Sequence, residues 1–176
     1  MQLELDLASL SETTGRKRLP LELKAGSARR RRVEAVLEVD HILVTHPPRM
    51  SPVEARRIGE ELRARLERRA TTTTIDLTAR ARDLAKRYSL PVPDRIEWSE
   101  RQLALWGVCT QSGTVRISSR LAEVPRFVLD AVIVHELSHL VHLNHGPAFH
   151  ELTRRFQKTD MAMGYLMALD HQRRNA

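Results

Sequence analysis

His135-Glu136-Leu137-Ser138-His139 is the stretch of this chain whose residue types and spacing most plainly suit chemistry. On a helix, residues four apart share a face, with Cβ atoms about 5–6 Å from each other. Two imidazoles so placed can reach one Zn²⁺ at roughly 2.0–2.1 Å. Glu136 follows the first histidine by one position and so points to the side of the metal, where it can take a proton from water instead of ligating. The pattern points to metal-assisted hydrolysis, most often of a peptide bond. The plain alternative is a chance H-E-x-x-H, since eight histidines are available to make one. Against that, Val132-Ile133-Val134 precedes the motif inside a strongly apolar segment, residues 127–143. Two histidines and a glutamate on a buried helix are costly unless something satisfies them.

A catalytic zinc normally takes three protein ligands and leaves the fourth position open. After His139 the candidates are His142, His145 and His150, with Glu151 as an oxygen-donor competitor. His142 lies near the same helical face but a full turn too far along. His145 is favoured if the helix ends near Leu143, because Asn144 tolerates the left-handed conformation and Gly146-Pro147 follows at once. Such a turn swings His145 back over the metal. Pro147 then opens another helix with Phe149, Leu152 and Phe156 inward. His150 and Tyr165 are candidates for an electrophile or a supporting group; for His142 and His150 the plain alternative is an exposed polar side chain. One Zn²⁺ per chain is the cofactor expected.

Other elements must hold this helix in place. Residues 33–39 and 42–45 read as two strands about a tight turn at Asp40-His41. Ser51-Pro52-Val53-Glu54 is a capping box, opening a helix with Ala55, Ile58, Leu62 and Leu66 as its core stripe. Residues 71–74 look like a linker. Asp76 caps a second helix with Leu77, Ala81, Leu84 and Tyr88 inward, stopped by Pro91 and Pro93. Residues 96–99, 103–109 and 115–118 read as short strands, with Gln111-Ser112-Gly113 turning between the last two. Pro125 starts the motif-bearing helix, and Asp160 begins a final helix containing Met161, Tyr165, Leu166 and Leu169. Trp106 and Gly107 would let an extended substrate approach a sheet edge above the metal; a core tryptophan beside a glycine bulge is the alternative. Cys109 reads as a small buried strand residue.

At 176 residues, 41% of them hydrophobic, the chain is sized for one domain. The expected layout is a partly ordered tail over residues 1–27 and a single domain over 28–176, with a hairpin–helix part to residue 70 and a catalytic part beyond. No run approaches a membrane span, and the N-terminus lacks a signal-peptide layout. The single cysteine excludes an internal disulfide framework and fits a reducing, cytoplasmic setting. A net charge of +7 raises nucleic acid as a partner. The dense cluster is Arg29, Arg30, Arg31 and Arg32, and no aromatic residues interleave with it to make a base-stacking platform. A peptide or protein substrate is therefore favoured over nucleic acid, and no membrane partner is expected.

Taken in order, Trp106-Gly107-Val108-Cys109-Thr110, the hairpin over residues 113–121, the H-E-L-S-H run and Asn144-His145-Gly146-Pro147-Ala148-Phe149 resemble the YgjP-like metallopeptidase family. Members are predicted zinc peptidases of bacteria, and the SprT-like zincins are more distantly similar. The C-terminal half carries the specific matches, and residues 29–69 match more weakly. The resemblance implies an α+β, zincin-like fold of gluzincin type. It would have an N-terminal β-hairpin and helices, and a small antiparallel sheet packed on the motif helix. It also implies His135, His139 and His145 as ligands and Glu136 as catalytic base. Two departures stand out: the family usually shows W-G-S-C, where this chain has Val108 for the serine, and His150 stands where an aromatic commonly follows. The stretch from His145 to Phe149 is also similar to the H-G-P-x-F of SprT-like proteases that act on DNA-bound proteins. A DNA-associated protease is thus one alternative, and a metal-stabilised binding module without turnover is another.

Overall fold

In each half of the chain the most deeply buried strand takes the centre of its sheet. The computed structural model describes residues 19–102 and 104–175. The chain divides into two compact units, Met1–Ala70 and Thr71–Ala176. In the first, β1 (Leu21–Ala25), β2 (Glu34–Leu37) and β3 (Ile42–His46) pair in the order β1-β3-β2. Ile42 and Val44 of β3 are fully buried and their neighbours partly exposed, the alternation of a strand with one covered face. β2 runs antiparallel to β3 with Leu37 opposite Ile42, so the expected turn at Asp40-His41 is present. β1 runs parallel to β3. It lies within the segment read from sequence as a tail, where Pro20 and Gly26 mask the short Leu-Glu-Leu alternation between them.

Helix α1 (Pro52–Thr72) opens as its capping box predicts, with the Glu54 N–H donating to Ser51 Oγ at 3.2 Å. Its innermost line is Ala55, Gly59 and Arg63; Ile58, Leu62 and Leu66 of the expected stripe are only half-buried. The helix is rotated because it packs closest where it is smallest: a Cβ on Gly59 would sit 3.1 Å from Val44. Arg63 is buried, pairs with Glu60 and donates to the Leu19 carbonyl. Thr71 and Thr72, expected in a linker, continue the helix. Of the arginine cluster, Arg30 is half-buried and pairs with Glu34 at 2.8 Å, while Arg29, Arg31 and Arg32 are exposed in the β1–β2 connection.

The second unit contains α2 (Leu77–Tyr88), β4 (Arg95–Ser99), β5 (Gly107–Cys109), β6 (Thr114–Ser118), α3 (Arg126–His139), α4 (Pro147–Arg154) and α5 (Thr159–Arg174). Its sheet order is β4-β6-β5, with β5 antiparallel and β4 parallel to β6. The small antiparallel sheet expected from sequence is therefore a mixed one. β4 and β5 flank the central position, and β6 returns to fill it. Val115 and Ile117 of β6 are fully buried, so the strand with two paired edges is also the most buried of the three. β5 is shorter than expected because the chain before it is held otherwise: Arg120 donates to the Leu105 carbonyl at 3.1 Å. On this side the Trp106 carbonyl extends the pairing, accepting from the Ser118 N–H. Leu103, placed in this strand from sequence, lies outside the described residues.

α3 is the centre of this unit. Val128, Leu129, Val132, Ile133, Val134 and Leu137 are buried on every side of it, so it has no solvent face over most of its length. Its other buried polar groups are satisfied. Asp130 holds a two-point ion pair with Arg80 of α2, and Ser138 Oγ donates to the Val134 carbonyl at 2.8 Å. The architecture is α+β, and no helix among the described residues is long and apolar enough to cross a membrane.

Candidate metal centre

α3 ends at His139, four residues before the expected stop. The N–H groups of Leu140, Val141 and His142 close the last turn onto Leu137 and Ser138. The chain then leaves the helix, and the His142 carbonyl accepts a hydrogen bond from His139 Nδ1 at 3.1 Å. That partner fixes the ring and assigns its proton to Nδ1, leaving the Nε2 lone pair free. His142 thus supports the site with its backbone, and its imidazole is not part of the cluster. The Gly146 N–H turns back to the Asn144 carbonyl at 2.8 Å, and Pro147 occupies the first turn of α4. This return loop carries His145 to the other two histidines.

His145 Nε2 lies 3.1 Å from His135 Nε2, and one nitrogen from each of His135, His139 and His145 falls within 4.8 Å of the others. Two nitrogens bound at 2.0–2.1 Å to one tetrahedral ion stand roughly 3.3 Å apart, so the spacing suits a shared metal. Among the described residues this is the group that could hold one; Glu151 and Cys109 do not join it. Beneath it, Phe149 is buried, its ring centroid 4.9, 4.5 and 4.6 Å from those of His135, His139 and His145. An apolar floor gives the imidazoles no competing partner. Burial, followed by repulsion from His139, His145 and His150, pushes the His135 pKa down to about 4, and burial also lowers that of His139. Neutral imidazole is the ligating form, so these shifts favour metal over protons.

Phe149→Ala should remove that floor. A fully buried phenylalanine typically costs about 3–5 kcal/mol when truncated, and the imidazoles would lose their shared backing. Denaturant unfolding should show that loss, together with weaker metal retention. A change below about 1 kcal/mol with normal retention would mean the ring is dispensable.

Glu136 is buried, and its carboxyl lies directly on the backbone of Gly107. A Cβ there would come within 2.5 Å of Glu136 Oε1 and 2.8 Å of Cδ. The close approach that glycine was expected to give a substrate is taken up, in this structure, by the glutamate. Burial pushes the Glu136 pKa up to about 7, against the pull of a hydrogen bond from the Cys109 backbone. Burial, and then the Glu136 charge, raises the Cys109 thiol.

Trp106 is half-buried beside this contact. Its Nε1–H donates to Asp170 Oδ2 on α5 at 3.0 Å, and the Arg120 guanidinium lies 3.9 Å over its ring. Nothing in the sequence links positions so far apart, and Asp170 carries no motif. His150 is exposed next to Phe149, with ring centroids 5.7 Å apart. Tyr165 packs edge-on against Phe127 at 6.4 Å and does not enter the histidine group. A cavity of about 250 Å³ opens against His135 and Glu136, walled by Trp106, Gly107 and α5.

Among known families, the model described as YgjP-like, metallopeptidase domain matches residues 18–159, which contain every one of the motif residues above. No curated protein and no solved structure matches the chain.

Proposed function

The chain belongs to the YgjP-like metallopeptidase family, and on that premise we propose that it is a zinc-dependent peptidase with a zincin-like site. His135, His139 and His145 hold the metal, and Glu136 is the general base. The observation that carries this reading is the division of labour at the end of α3. Three imidazole nitrogens converge, while the adjacent carboxyl is kept out of the group by Gly107 and the Cys109 N–H. A zinc ion there would supply a Lewis acid that acidifies water and polarises the scissile carbonyl.

Glu136 accepts the proton of the attacking water at its carboxylate and passes it to the leaving amine. A pKa near 7 suits both halves of that transfer, since proton exchange is most efficient when the group is poised near working pH. Gly107 and Cys109 hold the carboxyl in place and limit its rotation. β5 stands at the edge of its sheet, and we place an extended peptide along the part of that edge which Glu136, holding the Cys109 N–H, leaves open. Of the two candidate electrophiles, His150 is favoured, since it is exposed beside Phe149 under the histidine group, whereas Tyr165 packs against Phe127. A cytoplasmic setting, which the single cysteine suggests, belongs to the same proposal.

The test is hydrolysis of unfolded polypeptides by zinc-loaded protein. A chelator should abolish cleavage, and about one equivalent of zinc per chain should restore it. Protein that binds one zinc tightly yet leaves every peptide intact would be a metal-stabilised binding module instead.

A further inference from the structure

The cavity beside Glu136 is too small for a drug-sized ligand, which needs about 300–1,000 Å³, and suits a single large side chain. Ala131 and Val132 of α3 and Ala162 and Leu166 of α5 form its apolar walls. Its mouth is lined by Leu105, Met163 and Met167, which are 56%, 50% and 68% exposed. Large apolar side chains left open around a cavity mark a contact surface, and methionines adapt to the shape of what they cover. Among the described residues that line the cavity none is a lysine or arginine, and two carry carboxyl groups, Glu136 and Asp170. Asp170 is held by the Trp106 indole.

We propose that this cavity receives an aliphatic or thioether side chain of the substrate, from the residue that carries the leaving amine. The inference rests on the peptidase reading above. Glu136 must reach the departing nitrogen to protonate it, and Glu136 lines the cavity. The side chain attached next to that nitrogen is therefore the one delivered there. Leucine and methionine side chains match the walls. Aspartate and glutamate are disfavoured, because they would bring a third carboxylate into an apolar space beside Glu136 and Asp170.

The experiment uses zinc-loaded Glu136→Gln protein, tryptophan fluorescence as readout (Trp106 lines the cavity), and peptides that differ only at this position. Leucine and methionine peptides should bind at least about tenfold more tightly than the aspartate peptide. Adding Ala131→Phe, four residues before His135 on the same helix face, should fill the space and erase the preference. Met167→Glu, at an exposed position where folding is not at stake, should weaken binding of the leucine peptide. Equal binding of leucine and aspartate peptides, or a preference that survives both substitutions, would overturn the cavity's role. If the Glu136-intact protein cleaves peptides without this preference, the cavity inference fails and the peptidase reading stands. Selective binding without any cleavage by that protein would uphold the cavity and overturn the peptidase reading.

Discussion

Glu136→Gln should keep the fold and the zinc content of the protein and lower peptide hydrolysis by at least about 10²–10⁴-fold, the usual worth of a positioned general base. The amide has nearly the shape of the carboxyl and can still rest on Gly107 and accept from the Cys109 N–H. It cannot take a proton from water or return one to the leaving amine. Because the glutamate stands outside the histidine group, removing its charge leaves all three candidate ligands in place. Steady-state kinetics beside metal analysis will separate these effects. Wild-type kcat/KM in the variant would remove Glu136 from the mechanism, and loss of zinc would make it a ligand.

The same substitution has a consequence for stability in the metal-free protein. Folding raises the Glu136 pKa from the ordinary 4.5 to about 7. Between these values the folded chain holds a proton that the unfolded chain has released, so stability falls as pH rises through this window, by on the order of 3 kcal/mol. His135 works in the opposite direction. Its pKa drops on folding from 6.5 to about 4, so its contribution to stability is lost as pH falls through that range. Glutamine removes the first effect and leaves the second. Metal-free Glu136→Gln should therefore melt higher than the parent at pH 8, with the difference closing near pH 4. Parallel melting curves across this range would mean that the buried carboxyl is not destabilising.

The motif was legible because its chemistry lies within one helix. His135 and His139 need only α-helical spacing, and the apolar run before them announced a buried helix. His145 required one further step, a turn signalled by Asn144 and Gly146-Pro147. The chain does turn back there, but not as expected: Asn144 is not left-handed, α3 stops at His139, and the return loop is correspondingly longer. What stayed hidden depends on contacts between distant segments. Gly107 was singled out for close approach, but sequence could not say that the approaching group is Glu136. Trp106 meets Asp170 across 64 positions, and neither residue type announces the other. The sheets show the same limit. Alternation located most of the strands but not their order: in each sheet the most buried strand is central, so a hairpin reading missed that β3 and β6 insert there. In α1, size overrode hydrophobicity, since Gly59 allows an approach that Ile58 would prevent.

Replacing the histidines one at a time should split them into two classes. His135→Ala and His139→Ala should each take bound zinc from about one per chain to nearly none after dialysis. His145→Ala should weaken retention by well over the 10–100-fold that loss of a supporting partner costs. The reason is geometric: the three nitrogens lie within 4.8 Å of one another, and two alone leave half of a tetrahedral shell to water. His142→Ala should keep its zinc even though it follows His139 closely on the same stretch. What His142 gives the site is its carbonyl oxygen, which receives the proton of His139 Nδ1, and alanine carries the same carbonyl. Metal analysis with competition against a chelator will distinguish the classes. Equal loss for His142 and His139, with none for His145, would reverse the assignment and place the imidazole of His142 where the return loop now brings His145.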